Sequence, residues 1–464
     1  MPSGWDSETD VVIAGAGGAG LQAALACAKA GAAALVYEKQ PRLWESSTAM
    51  AVARVAFFGT DIQERCGVED SRERFVSDAL ASGQQQCDPA MVAAYAEHQL
   101  DTYRELCELG VRWSPTVNVV AGMSVARGHL TDALDLVRAL RRAAESRGVP
   151  VLLRSPVTAL ISEDGKVAGV EVTERSGRKA RVRARKGVVL ASGGFARDPQ
   201  RLRAIDARFA HVAATSGPGH TGDGHRWAEA LGARLRDVEH VMPSFELHVN
   251  GDCVEDYLIL YYQGGIIVNA RGERFVDESQ SYKHIGRACL DQPGRMGFQV
   301  FDHAIYERAA AAYAAAGQPS SITLDPGRIR MLISGDSLEA LAVKMDVPAK
   351  VLSRTVERYN GFVDAGRDAD FGRATLAGFS GKPVRLDRPP YYAFPTISHL
   401  LATYGGLVVD GQMRVMAGDQ PVPGLYAAGE IVGGFHGAGY QSGTAVGKAL
   451  VYGRIAGQSA ATRA

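Results

Sequence analysis

DVVIAGAGGAGLQAALACAKAGAAALVYE, residues 10–38, decides how the rest of the chain is read. Val11, Val12 and Ile13 form a short β-branched run, as a buried parallel strand requires. Gly15, Gly17 and Gly20 follow as G-x-G-x-x-G. The first glycine permits a tight turn, the second lets a pyrophosphate approach the backbone, and the third lets helix and strand pack closely. The spacing predicts a helix from about Gly20 to Ala30, stopped by Gly31, with its N-terminal amides and positive dipole end toward the phosphates. Ala34 to Tyr37 form the next strand, and Glu38 closes it. A carboxylate there accepts hydrogen bonds from ribose hydroxyls and repels a 2′-phosphate. Strand, glycine turn, helix and acid together mark a dinucleotide site. They do not choose between NAD and FAD.

The remaining composition narrows the class. With 464 residues the chain exceeds one ordinary core, so two domains are expected. Lysine plus arginine equals aspartate plus glutamate, 51 each, which gives no electrostatic reason for a nucleic-acid or acidic-membrane partner. Cys27, Cys66, Cys87, Cys107, Cys253 and Cys289 are scattered without a C-x-x-C, so no metal site is expected and the thiols read as reduced. MPSGWDSETD lacks the basic and apolar regions of a signal peptide, and no apolar run is long enough to span a bilayer, so a cytoplasmic location is expected.

Small residues at Ser46, Ser47, Thr48 and Ala49 would let the chain lie against a flat cofactor. Residues 69–110 read as two amphipathic helices, with Asp88-Pro89 opening the second, and 132–148 as another. Residues 151–174 read as strands around a tight turn at Gly165, and 186–198 repeat a strand running into glycines. GHTGDGHRWAEALGA (219–233) is a glycine turn entering a helix that Asp223 could cap. The alanine-rich 309–317 run is a helix end. From about 240 the texture becomes aromatic and strand-like, and the proline-rich KPVRLDRPPYYAFPTI reads as a return linker. The final stretch is again strand, glycine loop, helix. The layout implied is a nucleotide domain of residues 1–240 and 381–464 and an inserted domain of 241–380.

These pieces resemble the FAD flavoproteins of the fumarate reductase and succinate dehydrogenase superfamily. The resemblance rests on GAGGAG with Glu38, ASGGF (191–195), HTGDG (220–224), NARGERFVDE (269–278), TYGGL (403–407), and PGLYAAGE followed by YGRIAG. It runs along nearly the whole chain and selects FAD. It implies an α/β architecture: a Rossmann-like FAD-binding domain of glutathione-reductase type with an inserted α+β capping domain, substrate lying between them. It implies cofactor contacts from Gly18, Ala19, Lys39 and Val157, from Ala191, Ser192, Gly193 and Gly194, and from Asp223, Gly405 and Gly429. Glu430 would sit by the ribityl chain, with Ser442 and the amides of Gly443, Thr444, Ala445 and Val446 at the flavin N1/O2 edge. A helix N-terminus suits the negative charge of a reduced flavin. Members with covalent flavin place a histidine after the small-residue stretch. Here Met50 and Ala51 follow, so non-covalent FAD is expected.

The dicarboxylate members read F-V-N-E-x-x-x-R, H-T-M-G-G and H-G-A-N-R-L-G-G. This chain reads FVDESQSY, ATYGG and HGAGYQSG, placing Tyr282, Ala402 and Tyr440 where those carry Arg, His and Arg. Substrate carboxylates would be left unpaired. The replacements resemble the 3-ketosteroid dehydrogenases and related cyclic-ketone desaturases. Arg274-Phe275 through Glu278-Ser279 leads to Tyr282, and Tyr440-Gln441-Ser442-Gly443-Thr444 is similar to the 4-ene-forming (5α) branch. Desaturation needs the ketone polarised while its α-proton leaves and the β-hydride passes to flavin N5. Tyr440 and the Thr444 amide would hold the carbonyl, and Tyr282 would take the proton, with Ser442 assisting or capping the helix. Tyr282 then needs a neighbour that favours its phenolate, for which Lys283, His284 and Tyr404 are candidates. Tyr261 and Tyr262 read equally as pocket or packing. His248, His399 and Asp277 read as structural. The alternatives are a dicarboxylate oxidoreductase and a flavin-binding sensor; a flavocytochrome is excluded by the missing C-x-x-C-H. The expected partners are a cyclic ketone and an external electron acceptor: oxygen, a quinone or an electron-transfer protein.

Overall fold

The computed structural model describes residues 4–241, 243–251, 256–315, 329, 331–376 and 381–463. They form two compact units: Met1–Ala210 with Ser216–Val241 and Ala402–Ala464, and His211–Thr215 with Met242–Leu401.

The first unit is built on the strand Ser7–Ala14. It pairs in parallel with Ala34–Tyr37 on one side and Lys179–Leu190 on the other, and Gln420–Ala427 adds in parallel beyond the latter. Two ends of the chain therefore share one sheet. The helix Gly18–Lys29 starts two residues earlier than its glycine spacing suggests, with Gly17 as N-cap. It packs on the last helix, Thr444–Thr462, through glycines: a Cβ on Gly453 would lie 2.2 Å from the Ala19 carbonyl oxygen, and one on Gly457 2.2 Å from that of Ala23. The YGRIAG motif is thus a close-packing seam. It fixes the start of the last helix relative to the dinucleotide turn.

The helices Arg72–Ser82, Pro89–Glu108 and Ala133–Ser146 lie within the stretches that read as helical, and Asp88 caps the second by accepting from the Ala90 amide. No helix among the described residues is long and apolar enough to cross a membrane. Five cysteines are free, while Cys253 lies outside the described residues. Burial pushes the thiols of Cys27 and Cys289 up to about 12 and that of Cys87 to about 11, so they are poor nucleophiles.

The second unit centres on the strand Tyr391–Leu400, which pairs with Met296–Asp302, Ser244–His248, Ile333–Gly335 and Ala213–Ala214. Its helices include Tyr282–Cys289, His303–Ala315, Leu338–Met345 and Ala349–Ala365. Residues 316 and 317 of the alanine-rich run lie outside the described residues. The second half of the stretch read as a return linker enters this unit's central strand, so the second crossing falls at Leu401, not at 380. Pro389, Pro390 and Pro395 argued against a strand. Pro395 does forgo one ladder donor, but its carbonyl still accepts from Val249 N–H at 3.1 Å, and the aromatic and β-branched neighbours hold the strand.

Two histidines of the first unit make it acid-sensitive. His129 and His225 are buried, and burial lowers them to about 4 and about 3. Below pH 6.5 the unfolded chain takes up protons that the folded chain refuses, so stability is full above pH 6.5 and lost as pH falls toward these values. Urea unfolding between pH 7 and pH 4 is expected to show a loss of several kcal/mol with uptake of about two protons.

Candidate functional site

The glycine turn has the geometry of a phosphate cradle. Gly15 has φ +110°, and a Cβ there would lie 2.3 Å from the Ala191 carbonyl oxygen; on Gly20 it would lie 1.9 Å from that of Gly15. Both glycines are required by the fold itself. Gly17 is different. Its φ is −74°, and a Cβ would meet nothing nearer than Ser46 at 3.8 Å. The backbone is open there, which fits a pyrophosphate lying against it. Thr48 Oγ1 accepts from the Gly18 amide at 3.1 Å. Glu38 accepts from the amides of Ala16 and Gln40, both at 2.8 Å, which orients its carboxylate at the strand end.

Around this turn the first unit gathers most of the residues singled out by sequence. Lys39 Nζ binds Asp223 and Thr221, each at 2.7 Å. Asp223 does not cap its helix: Gly222, at φ +72°, is the N-cap, and the aspartate pairs with Lys39 and Arg226. Burial raises the Asp223 carboxyl, but these cations and Thr221 outweigh it and hold it below its ordinary value. Ser46 caps the short helix Ser47–Met50, accepting from the Ala49 amide. Ser47 Oγ lies 3.1 Å from His220 Nε2 and accepts from the Gly217 amide. Gly193, at φ +77°, leaves room for the His220 ring, and Gly194 leaves room for Glu430 and Thr403. Ser192 Oγ beside them is buried without a partner among the described residues, a group a bound polar ligand can satisfy. Gly405 packs against the Asp237 carbonyl and Gly429 against Ala19. Val157 opens the strand Val157–Glu163 and is paired with Val172.

Glu430 accepts from the Thr403 amide at 2.8 Å and lies 3.4 Å from His220 Nδ1. Burial raises this carboxyl, yet His220, the Thr403 amide and Lys448 hold it below the ordinary value. Lys448, one turn into the last helix, is buried with Nζ on the Val432 carbonyl at 2.8 Å, and burial pulls it down to about 8. His220 escaped the sequence reading as a site residue; its signal was its place at the head of HTGDG.

The last helix begins at Thr444 with Gly443, φ +86°, as N-cap. Ser442 is therefore not the cap, and its N–H donates to the Ala121 carbonyl at 2.9 Å. The Thr444 amide, expected to face a ketone, is directed at the Gln441 carbonyl at 3.3 Å, and its hydroxyl donates to the same oxygen at 2.6 Å. The first-turn amides of Ala445 and Val446 have no acceptor within the helix. Tyr440 Oη accepts from Gly443 N–H at 3.3 Å, and its ring packs with those of Tyr404 and His436 at 5.0 and 5.4 Å. The buried side-chain amide of Gln441 has no partner among the described residues, and sequence reasoning passed over it.

In the second unit Tyr282 opens the helix Tyr282–Cys289, which Ser281 caps. Its N–H donates to Tyr262 Oη at 2.7 Å, and Tyr262 donates to the Gln280 carbonyl at 2.7 Å. Tyr261 packs, donating to the Phe245 carbonyl. His248 meets Phe394 edge to face, and Asp277 closes a turn on Ser279. His284 is exposed. The approach to Tyr282 is anchored by Glu278, which binds Arg274 at 2.7 and 2.8 Å and Arg373 at 3.4 Å, with Asp368 completing the group at 2.8 Å from Arg274. Glu278→Ala would leave Arg274 with Asp368 as its carboxylate and Arg373 with none among the described residues. It is expected to lower stability by about 3–5 kcal/mol, read from the urea unfolding midpoint. No group of acidic, histidine and cysteine residues fit to hold a metal occurs among the described residues.

The family described as FAD binding domain matches residues 10–446. A probable fumarate reductase, Ifc3, of Shewanella frigidimarina is 31% identical over the whole of this chain and 76% of its own length. A 4-oxocyclohexanecarboxylate 2-dehydrogenase of Sinomonas cyclohexanicum is 31% identical over 73% of this chain and 62% of its own length. Among solved structures, a 3-ketosteroid-Δ4-(5α)-dehydrogenase from Rhodococcus jostii, in complex with 4-androstene-3,17-dione, is similar with a TM-score of 0.78 at 29% identity, covering 100% of this chain and 98% of that one. The glycine cradle, the acid at its strand end and the last helix N-terminus fit FAD, and the chain belongs to the FAD-dependent oxidoreductases of the fumarate reductase and succinate dehydrogenase type, whose relatives act on CH–CH groups.

Proposed function

We propose that the protein forms, or in reverse removes, a C=C bond next to the carbonyl of an alicyclic ketone, a 3-oxosteroid or a smaller oxocyclohexane carboxylate. One observation carries this reading: Tyr282, Ala402 and Tyr440 stand where the dicarboxylate members hold substrate with Arg, His and Arg. The buried Arg274 and Arg373 do not replace them, being bound to Glu278 and Asp368. The Rhodococcus structure with a 3-oxosteroid and the Sinomonas oxocyclohexanecarboxylate enzyme support the ketone class.

In this reading the first unit holds FAD without a covalent bond. Bound FAD supplies a two-electron acceptor. Tyr440 donates its O–H to the ketone oxygen. The Gly443 amide on the Tyr440 oxygen polarises that O–H and strengthens the donation. One such donor to a developing oxyanion is worth about 3 kcal/mol. Tyr282 takes the α-proton at its phenolic oxygen, on a helix start fixed by Ser281 and Tyr262. Ser442 and the amides of Ala445 and Val446 border the cofactor. A cytoplasmic location suits the free thiols. The electrons leave to an external acceptor.

The probable fumarate reductase relative favours a second reading, dicarboxylate oxidoreduction. Anaerobic mixing of the yellow holoenzyme separates the two. Bleaching by 4-oxocyclohexanecarboxylate or a 3-oxosteroid, with a product two hydrogens lighter, is expected. Bleaching by succinate alone, or reoxidation of the reduced enzyme by fumarate but not by an enone, supports the dicarboxylate reading. Absence of any redox response supports a sensor.

A further inference from the structure

The helix that presents Tyr282 buries a lysine. Lys283 is 3% exposed, its Nζ lies 5.2 Å from the centroid of the Tyr282 ring, and it donates to Ser244 Oγ. A buried ammonium is expensive where a methionine or leucine would pack as well, so its presence here calls for a use.

The surrounding charges come from several elements. The strand Ser244–His248 carries Glu246 at a bulge, where the pairing register shifts between Phe245 and Leu247. The bulge turns Glu246 inward to 7% exposure, 3.5 Å from His399 Nε2. His399, on Tyr391–Leu400, is fully buried, with Nδ1 2.7 Å from Thr215 Oγ1, to which Tyr257 also donates. Burial first, and the charge of Lys283 as well, lower His399 below its ordinary range, so it is neutral near pH 7. Tyr262 faces the Tyr282 backbone, and its own hydroxyl is pushed up by burial, so it stays protonated. Asp277 lies on the turn before the helix, and His284 and Arg287, on the helix itself, are exposed. Lys283 thus lies over the Tyr282 ring in a buried cluster that, among the described residues, also holds Glu246.

We propose that Lys283, held by Ser244, is the positioning residue whose charge stabilises the Tyr282 phenolate, so that Tyr282 can accept a proton near neutral pH. This rests on the reading of Tyr282 as the proton acceptor. It selects Lys283 over His284, which is exposed, and over Tyr404, which carries no positive charge.

The test reads ionisation directly. FAD-loaded protein labelled with tyrosine-13Cζ is titrated by NMR, the Tyr282 signal being the one absent from Tyr282→Phe. In Lys283→Met its midpoint is expected to rise by about one to two pH units, and in Lys283→Arg to return toward the parent value. Glu246→Gln, which keeps the shape of the cluster, is expected to move the midpoint down and serves if Lys283→Met does not fold. The acidic limb of the kcat/KM profile should follow each shift. A midpoint unmoved in folded Lys283→Met, or unmoved in Glu246→Gln, overturns the proposal. The titration does not depend on turnover. A shifted midpoint together with a fully active Tyr282→Phe would leave the electrostatic role standing and remove the assignment of Tyr282 as base.

Discussion

Tyr282→Phe is expected to lower kcat for cyclic-ketone oxidation by about 10³-fold, within the range general acid–base groups supply, while KM changes little and the flavin stays bound. The substitution removes one oxygen and leaves the rest of the residue in place. The backbone N–H still donates to Tyr262, Ser281 still caps the helix, and the aromatic face still lies beneath Lys283. Folding and FAD content should therefore match the parent, and the loss would fall on the chemical step. Stopped-flow reduction of the flavin by the ketone measures it. A change of less than about threefold would mean that another group takes the α-proton.

The second large effect separates two glycines three residues apart. Gly17→Ala is expected to give folded protein that purifies without flavin, its FAD affinity reduced by at least about a hundredfold. The protein offers a Cβ at Gly17 no contact nearer than 3.8 Å, so only a ligand against that backbone is displaced. Gly20→Ala is expected to lose the fold itself, since its Cβ would lie 1.9 Å from the Gly15 carbonyl oxygen, and backbone cannot yield there. Circular dichroism and absorbance of the purified variants report the two outcomes. A yellow Gly17→Ala with unchanged FAD affinity would place the pyrophosphate elsewhere.

The dinucleotide turn was legible because its requirements are local. Glycine spacing, the flanking strand and helix, and an acid at the strand end all lie within thirty residues. The last helix was legible for the same reason, and its role as a seam against the first helix followed only when Gly453 and Gly457 met Ala19 and Ala23. What depended on distant partners was not legible. Asp223 stood at a helix start and read as a cap, but Lys39, far off in sequence, claims its carboxylate. His220 and Glu430 meet only through folding. The strand Tyr391–Leu400 hid behind its prolines, because four pairing strands outweigh the lost donor. The Thr444 amide read as an open donor, yet the Gln441 carbonyl lies before it. Lys283 sat in a short polar helix, and nothing in the order of residues announced that it would be buried.

In the proposed reaction a ketone is held by two phenols and not by paired guanidinium groups. A crystal structure of the FAD-loaded enzyme with a slowly reacting cyclic ketone decides between them. The expected result places the carbonyl oxygen within about 2.6–3.2 Å of Tyr440 Oη, and the carbon beside it next to Tyr282 Oη. A ketone bound away from both hydroxyls, or a dicarboxylate clamped there by arginines, would contradict it.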